Sequence, residues 1–237
     1  MTGVTDTSHR VTGLLRAADH ALVRTVDGLD TAAYAEPSLL PGWTRAHVLA
    51  HLALNAEALA GALHGAHVGR PQPMYASQEA RDGDIDELAA RDPAELRERL
   101  MAGTATFEQA LAAMGDGDWA GTFERTPGGR VVQAAAVPLM RLREVEIHHA
   151  DLGAGHTHAA WSAEFCAVLL DSLTAVEHPT PLTVRPTDLD GEWRYGPDGE
   201  GPVVSGTAAD LAWWLTGRGA GESLTSSTNE IPEMEAW

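Results

Sequence analysis

Glu144, His148 and Asp151 fall within the stretch RLREVEIHHAD, residues 141–151. On a helix, at about 100° per residue, their spacing predicts one shared face, together with the apolar Val137, Met140 and Ile147. Arg143, Glu146 and His149 are predicted to point elsewhere and stay wet. A carboxylate and an imidazole four residues apart in a core-facing stripe must be paired, hydrogen-bonded or metal-bound, because an uncompensated buried charge is expensive. Two readings stand. One is a buried hydrogen-bonded pair; the other is part of a catalytic zinc site, which asks for three protein ligands and an open position. The second reading needs a ligand from another helix, and His51 is the candidate. It sits at the margin of the stripe Val48, Leu52, Asn55, Leu59 and Leu63, with His47 a turn earlier toward the polar side. By itself such a histidine is a packed or surface residue. Joined with Glu144 and His148 it completes two imidazoles and a carboxylate, a set that acts as a Lewis acid and holds a bound thiol as thiolate at neutral pH.

The elements that must position these groups can be read in chain order. Residues 8–29 carry apolar positions at helical spacing, and 31–43 form a loop with two prolines and a glycine. A second helix spans 44–67, with Thr44 as its N-cap. Residues 69–92, rich in Pro, Gly and Asp, are not expected to be regular throughout; they form the connection that holds Arg81, which either clamps an anion or pairs with neighbouring acids. A third helix covers 93–114. The TPGG turn marks a small hairpin, and a fourth helix starts near Pro138 and stops at the glycines after Asp151. Polar residues facing inward from the second and fourth helices make this a four-helix bundle with a core site, residues 1–155. From 156 to 237 the pattern changes to a helix, three short strands separated by Asp-Gly turns, a last helix and a polar tail. This predicts a smaller α+β domain.

Composition narrows the chemistry. The net charge of −18 argues against nucleic acid and anionic membrane as partners. All sixteen cationic residues are arginine, so lysine Schiff-base chemistry is excluded. The single cysteine, Cys166, lies in the apolar run AEFCAVLL and reads as a buried structural thiol, so any thiol chemistry needs a cosubstrate. The N-terminus lacks the apolar core of a signal peptide, and no stretch is read as approaching the ~20 apolar residues of a membrane span. A soluble, cytoplasmic protein is expected.

LPGWTRAHVLAHLALNAEAL, PMYASQEARDGDI, RLREVEIHHADLG and GRGAGESLTSSTNEIPE together resemble the mycothiol-dependent maleylpyruvate isomerases, within the wider family of DinB-like thiol-dependent metalloproteins. The resemblance extends over nearly the whole chain. It implies a DinB-like bundle with a small α+β domain, and a divalent metal, usually zinc, held by His51, Glu144 and His148. It also implies mycothiol as thiol cosubstrate and isomerisation of the dicarboxylate maleylpyruvate to fumarylpyruvate in gentisate-type aromatic catabolism. Arg81 and Arg218 lie in matching stretches and are the implied guanidinium groups for the bound anions, with Asp151 orienting His148 or a nearby arginine. Glu146 and His149 depart from the expected string, but the helix count puts both off the metal-facing side. Two alternatives stay open: a mycothiol S-transferase acting on another electrophile, and a non-catalytic module whose small domain, similar to sterol-carrier-like domains, holds an apolar ligand. A monomer or small homo-oligomer is expected.

Overall fold

Helix α2 (Arg45–His67) is apolar almost all round: Val48 and the leucines at 49, 52, 59 and 63 interleave with alanines at 46, 50, 53, 56, 60 and 62, and all of these are buried. Small residues between large ones let neighbours approach from several sides, so the single stripe predicted for this helix is too narrow a description. One expectation is corrected here. α2 is long and apolar enough to cross a membrane by length and composition, but most of it is buried inside the protein, and its apolarity is that of a central helix. His47 folds back at the N-terminus, where the Thr44 N–H donates to its Nδ1 at 3.3 Å.

The computed structural model describes residues 2–235. The chain separates into two compact units, Met1–His156 and Thr157–Trp237. In the first, α1 (Thr2–Asp27), α4 (Pro93–Ala113) and α5 (Val137–Asp151) complete a bundle with α2, α4 and α5 packing on α2 and α1 on α5. α1 begins earlier than the residue 8 predicted. A further helix, α3 (Gln78–Ala89), lies in the segment read as irregular, which corrects the placing of Arg81 on a loop. The prolines that suggested an irregular connection cluster before Ser77, whose side chain accepts from the Ala80 N–H at 3.0 Å, and α3 anchors itself through buried Ile85 and Leu88. β1 (Thr122–Glu124) and β2 (Val131–Gln133) form the predicted hairpin.

α5 is also buried on nearly every side, including Arg141, Leu142, Val145, His148, His149 and Asp151. His149 therefore contradicts the expectation of a wet face: α1 covers that side, its Thr25 hydroxyl lies 2.7 Å from His149 Nε2, and the His156 ring stacks on His149 at 3.7 Å between centroids. Arg143 and Glu146 are half-buried.

The second unit contains α6 (Ala163–Leu173), β3 (Leu182–Pro186), β4 (Trp193–Tyr195), β5 (Val203–Gly206), α7 (Ala208–Leu215) and β6 (Thr225–Ser226). Its sheet has the order β4-β3-β5-β6, with β3 and β5 parallel and the other pairs antiparallel. β6 comes from the stretch read as a polar tail; two residues of Thr and Ser are too short to show a period. Cys166 is buried in α6.

Candidate metal centre

Three ties hold α5 against α2. The fully buried Arg141, one turn before Glu144, donates from Nη1 to the Leu52 carbonyl at 2.8 Å and to Asn55 Oδ1 at 3.0 Å. At the other end of α5, Arg45 donates to the carbonyls of Leu152 (3.0 Å) and Gly153 (2.9 Å), satisfying acceptors that a helix end leaves open. The Leu39 N–H adds a bond to the Asp151 carbonyl at 2.8 Å. The PGWTR loop thus fixes the start of α2 to the end of α5.

Between these ties His51, Glu144 and His148 converge, with one potential ligand atom from each, all within 4.8 Å of one another. Glu144 Oε2 lies 2.8 Å from His51 Nε2 and 3.3 Å from His148 Nε2, and the two rings meet edge to face. Burial pushes the Glu144 carboxyl up, but the two imidazoles more than reverse this and hold it well below the usual range. Burial pulls His51 below its ordinary value against the attraction of Glu144. On His148 burial acts the same way, yet hydrogen bonds to Asp151 and Glu144 leave it raised.

The residues fit a divalent cation. Two imidazoles and a carboxylate are a zinc donor set, and Asp151 Oδ2 takes the Nδ1 side of His148 at 2.9 Å, which leaves Nε2 turned toward Glu144. Arg81, from α3, reaches His51 Nδ1 with Nη2 at 3.1 Å and Asp82 with Nη1 at 2.7 Å. Because guanidinium has no acceptor, the His51 hydrogen in this arrangement sits on Nε2. Nε2 is the His51 atom turned toward Glu144.

Two family models match the chain: "Mycothiol maleylpyruvate isomerase N-terminal domain" over residues 15–153 and "MDMPI C-terminal domain" over 160–231. The chain belongs to the mycothiol maleylpyruvate isomerase family. A crystal structure of the mycothiol-dependent maleylpyruvate isomerase is 33% identical with a TM-score of 0.86, and that of a histidine-to-alanine mutant is 32% identical at 0.88; all of both chains is covered in each case. Two uncharacterized proteins of Mycobacterium tuberculosis are 27% identical over 227 residues, 89% of this chain and 86% of each relative.

In this member of the isomerase family, four of the six site residues read from the sequence touch one another directly, and Arg81 adds a fifth. Arg218 lies in the second unit, where Nη1 donates to the Thr216 carbonyl at 2.9 Å and the guanidinium stands 5.7 Å from the Trp213 ring centre. Trp213 in turn stacks on His158, whose Nε2 meets Asp210 at 3.0 Å. Sequence reasoning missed Trp43, whose ring centre is 5.8 Å from that of His51, and Tyr75, beside Arg81. Both occur in motifs quoted for the resemblance, but neither aromatic has a spacing that marks it.

Proposed function

We propose that this protein is a cis-trans isomerase that converts maleylpyruvate to fumarylpyruvate with mycothiol as thiol cosubstrate and zinc as its metal, in gentisate-type aromatic catabolism. The observation that carries the reading is the convergence of His51, Glu144 and His148 from two helices in a member of this family. These three side chains would hold the ion, with Asp151 fixing the tautomer and direction of His148. A divalent cation held there supplies Lewis acidity and keeps a bound thiol ionised near neutral pH. Addition of the thiolate to the cis double bond leaves a single bond that can rotate; expulsion of the same thiolate restores the double bond as trans, and the thiol is returned. The substrate carries two carboxylates, and the guanidinium of Arg81 offers a carboxylate a planar fork that donates bidentately. Cys166 is buried in α6 and serves no part of this scheme.

The deciding assay incubates the zinc-loaded protein with maleylpyruvate, with and without mycothiol, and follows product absorbance. Conversion only with the thiol supports the reading. Conversion without thiol, or stoichiometric loss of thiol with no trans isomer, overturns it, and the second outcome points to S-transfer. Cys166→Ser is expected to leave turnover intact. Arg81→Lys keeps the charge and loses the fork, and should lower kcat/KM by about tenfold or more.

A further inference from the structure

The two proposed imidazole ligands are oriented in different ways. Asp151 fixes His148 with a carboxylate at 2.9 Å from Nδ1. His51 has Arg81 at Nδ1 (3.1 Å) and Glu144 at Nε2 (2.8 Å), and such bonds tolerate a misalignment of about 30°. The χ2 torsion of histidine is itself broad, so the plane of the ring is set by what packs around it. Two rings bear on it: His148 at 4.7 Å between centroids and 86°, and Trp43 at 5.8 Å and 56°. His148 is itself a proposed ligand; Trp43 is not. The backbone of Trp43 is anchored: its carbonyl accepts from the Ser38 N–H and hydroxyl, each at 2.9 Å, and its N–H donates to the Leu40 carbonyl at 3.1 Å. Its ring also stacks on that of His47, one turn before His51, at 6.2 Å and 29°. A bridge between Pro37 and Thr44 closes the loop.

We infer that Trp43 is a positioning residue: its indole holds the plane of the His51 ring and thereby sets how well the triad grips a cation. This rests on the reading of His51, Glu144 and His148 as metal ligands. The loop that presents Trp43 to His51 also bonds the Asp151 carbonyl through the Leu39 N–H at 2.8 Å, and Asp151 orients His148. One closed loop thus bears on both histidines, and it supplies no ligand itself. Trp43 is only half-buried and stands outside the core, so trimming it leaves the packing of the bundle in place.

Trp43→Phe keeps a plane against His51, whereas Trp43→Leu keeps apolar bulk and removes the plane. The test compares both with wild type. It measures zinc affinity by competition with a chromophoric chelator, the visible absorption of the cobalt-loaded protein, whose bands follow coordination geometry, and the Tm of the metal-free protein. Trp43→Leu is expected to weaken zinc binding about tenfold, the upper end of what an aromatic pair contributes, and to shift the cobalt bands. Trp43→Phe should stay within about threefold of wild type and keep the bands in place. The metal-free Tm of each should move by no more than about 4 °C. Trp43→Met, a longer side chain without a plane, takes the place of Trp43→Leu should that variant not fold. Wild-type affinity and cobalt bands in the variant without a plane overturn the inference and leave Trp43 as packing for its loop. Equal weakening in Trp43→Phe and Trp43→Leu, or a weakening accompanied by a larger fall in metal-free Tm, overturns it as well. Wild type that takes up no divalent cation when zinc is supplied removes the reading of the triad itself, and the inference with it.

Discussion

His148 meets a carboxylate at each ring nitrogen, Asp151 at 2.9 Å on one side and Glu144 at 3.3 Å on the other. The two acids have different work in the proposed site, since only Glu144 is close to His51. Asp151→Asn is therefore expected to weaken zinc binding by about ten- to a hundredfold without abolishing it, as measured by competition with a chromophoric chelator. His148→Ala should abolish it. An affinity unchanged in Asp151→Asn shows that Asp151 merely ends a helix. A second buried acid, Asp19 of α1, lies 3.9 Å from Arg141 and is only 4% exposed. Burial lifts its pKa from 3.8 to about 6, against the pull of Arg141. A folded-state pKa above the unfolded one means that the folded protein binds the proton more tightly. The associated stability is present at low pH and is lost as pH rises from about 4 through 6. Asp19→Asn lacks this term. Denaturant unfolding should show wild type losing on the order of 2–3 kcal/mol relative to the variant over that range, about two pKa units at 1.36 kcal/mol each. A difference that stays flat with pH would place the charge of Asp19 at no cost.

Two glycines distinguish helix faces at the level of the element. Gly61 on α2 is exposed, and a Cβ there meets nothing within 4 Å; on α4, a Cβ at Gly103 would lie 3.0 Å from the Ala53 carbonyl of α2. Gly61→Ala should therefore raise stability by about 0.5–1 kcal/mol, the ordinary gain for a helix interior. Gly103→Ala should lose that gain and more, because two backbones would have to separate. Thermal melts of both variants check the pair, and stabilisation by Gly103→Ala would show a looser α2–α4 contact. The same distinction explains what the sequence made legible. Glu144 and His148 could be read as neighbours because a spacing of four is local, and the hairpin because its turn residues are. α3 was hidden by averaging: the prolines before Ser77 coloured a window in which 78–89 is helical. The burial of His149 was hidden because helix periodicity assigns one covered face, and α5 is covered by α2 on one side and α1 on the other. Trp43 and Tyr75 reach their places through loop paths that no periodic signal encodes.

The whole molecule carries a charge of −18, and the proposed substrate is a dianion. Long-range repulsion then opposes what the local arginines attract, and salt should help by screening the first more than the second. Raising ionic strength from about 0.01 to 0.15 M shortens the Debye length from about 30 to 8 Å, and kcat/KM for maleylpyruvate is expected to rise about two- to threefold. A fall would mean that a positive local field dominates the approach. The central place of α2 has a further consequence, for synthesis. His51 leaves the ribosome 93 residues ahead of Glu144. At about 5–20 residues per second that is a wait of roughly 5–20 s. Throughout it a helix apolar on almost every side has only part of its cover, and no nascent fragment lacking α5 contains the ligand set. α5 brings the carboxylate and the second imidazole together with the last of the apolar cover, so completion of the proposed ligand set and shielding of α2 fall at the same moment of translation.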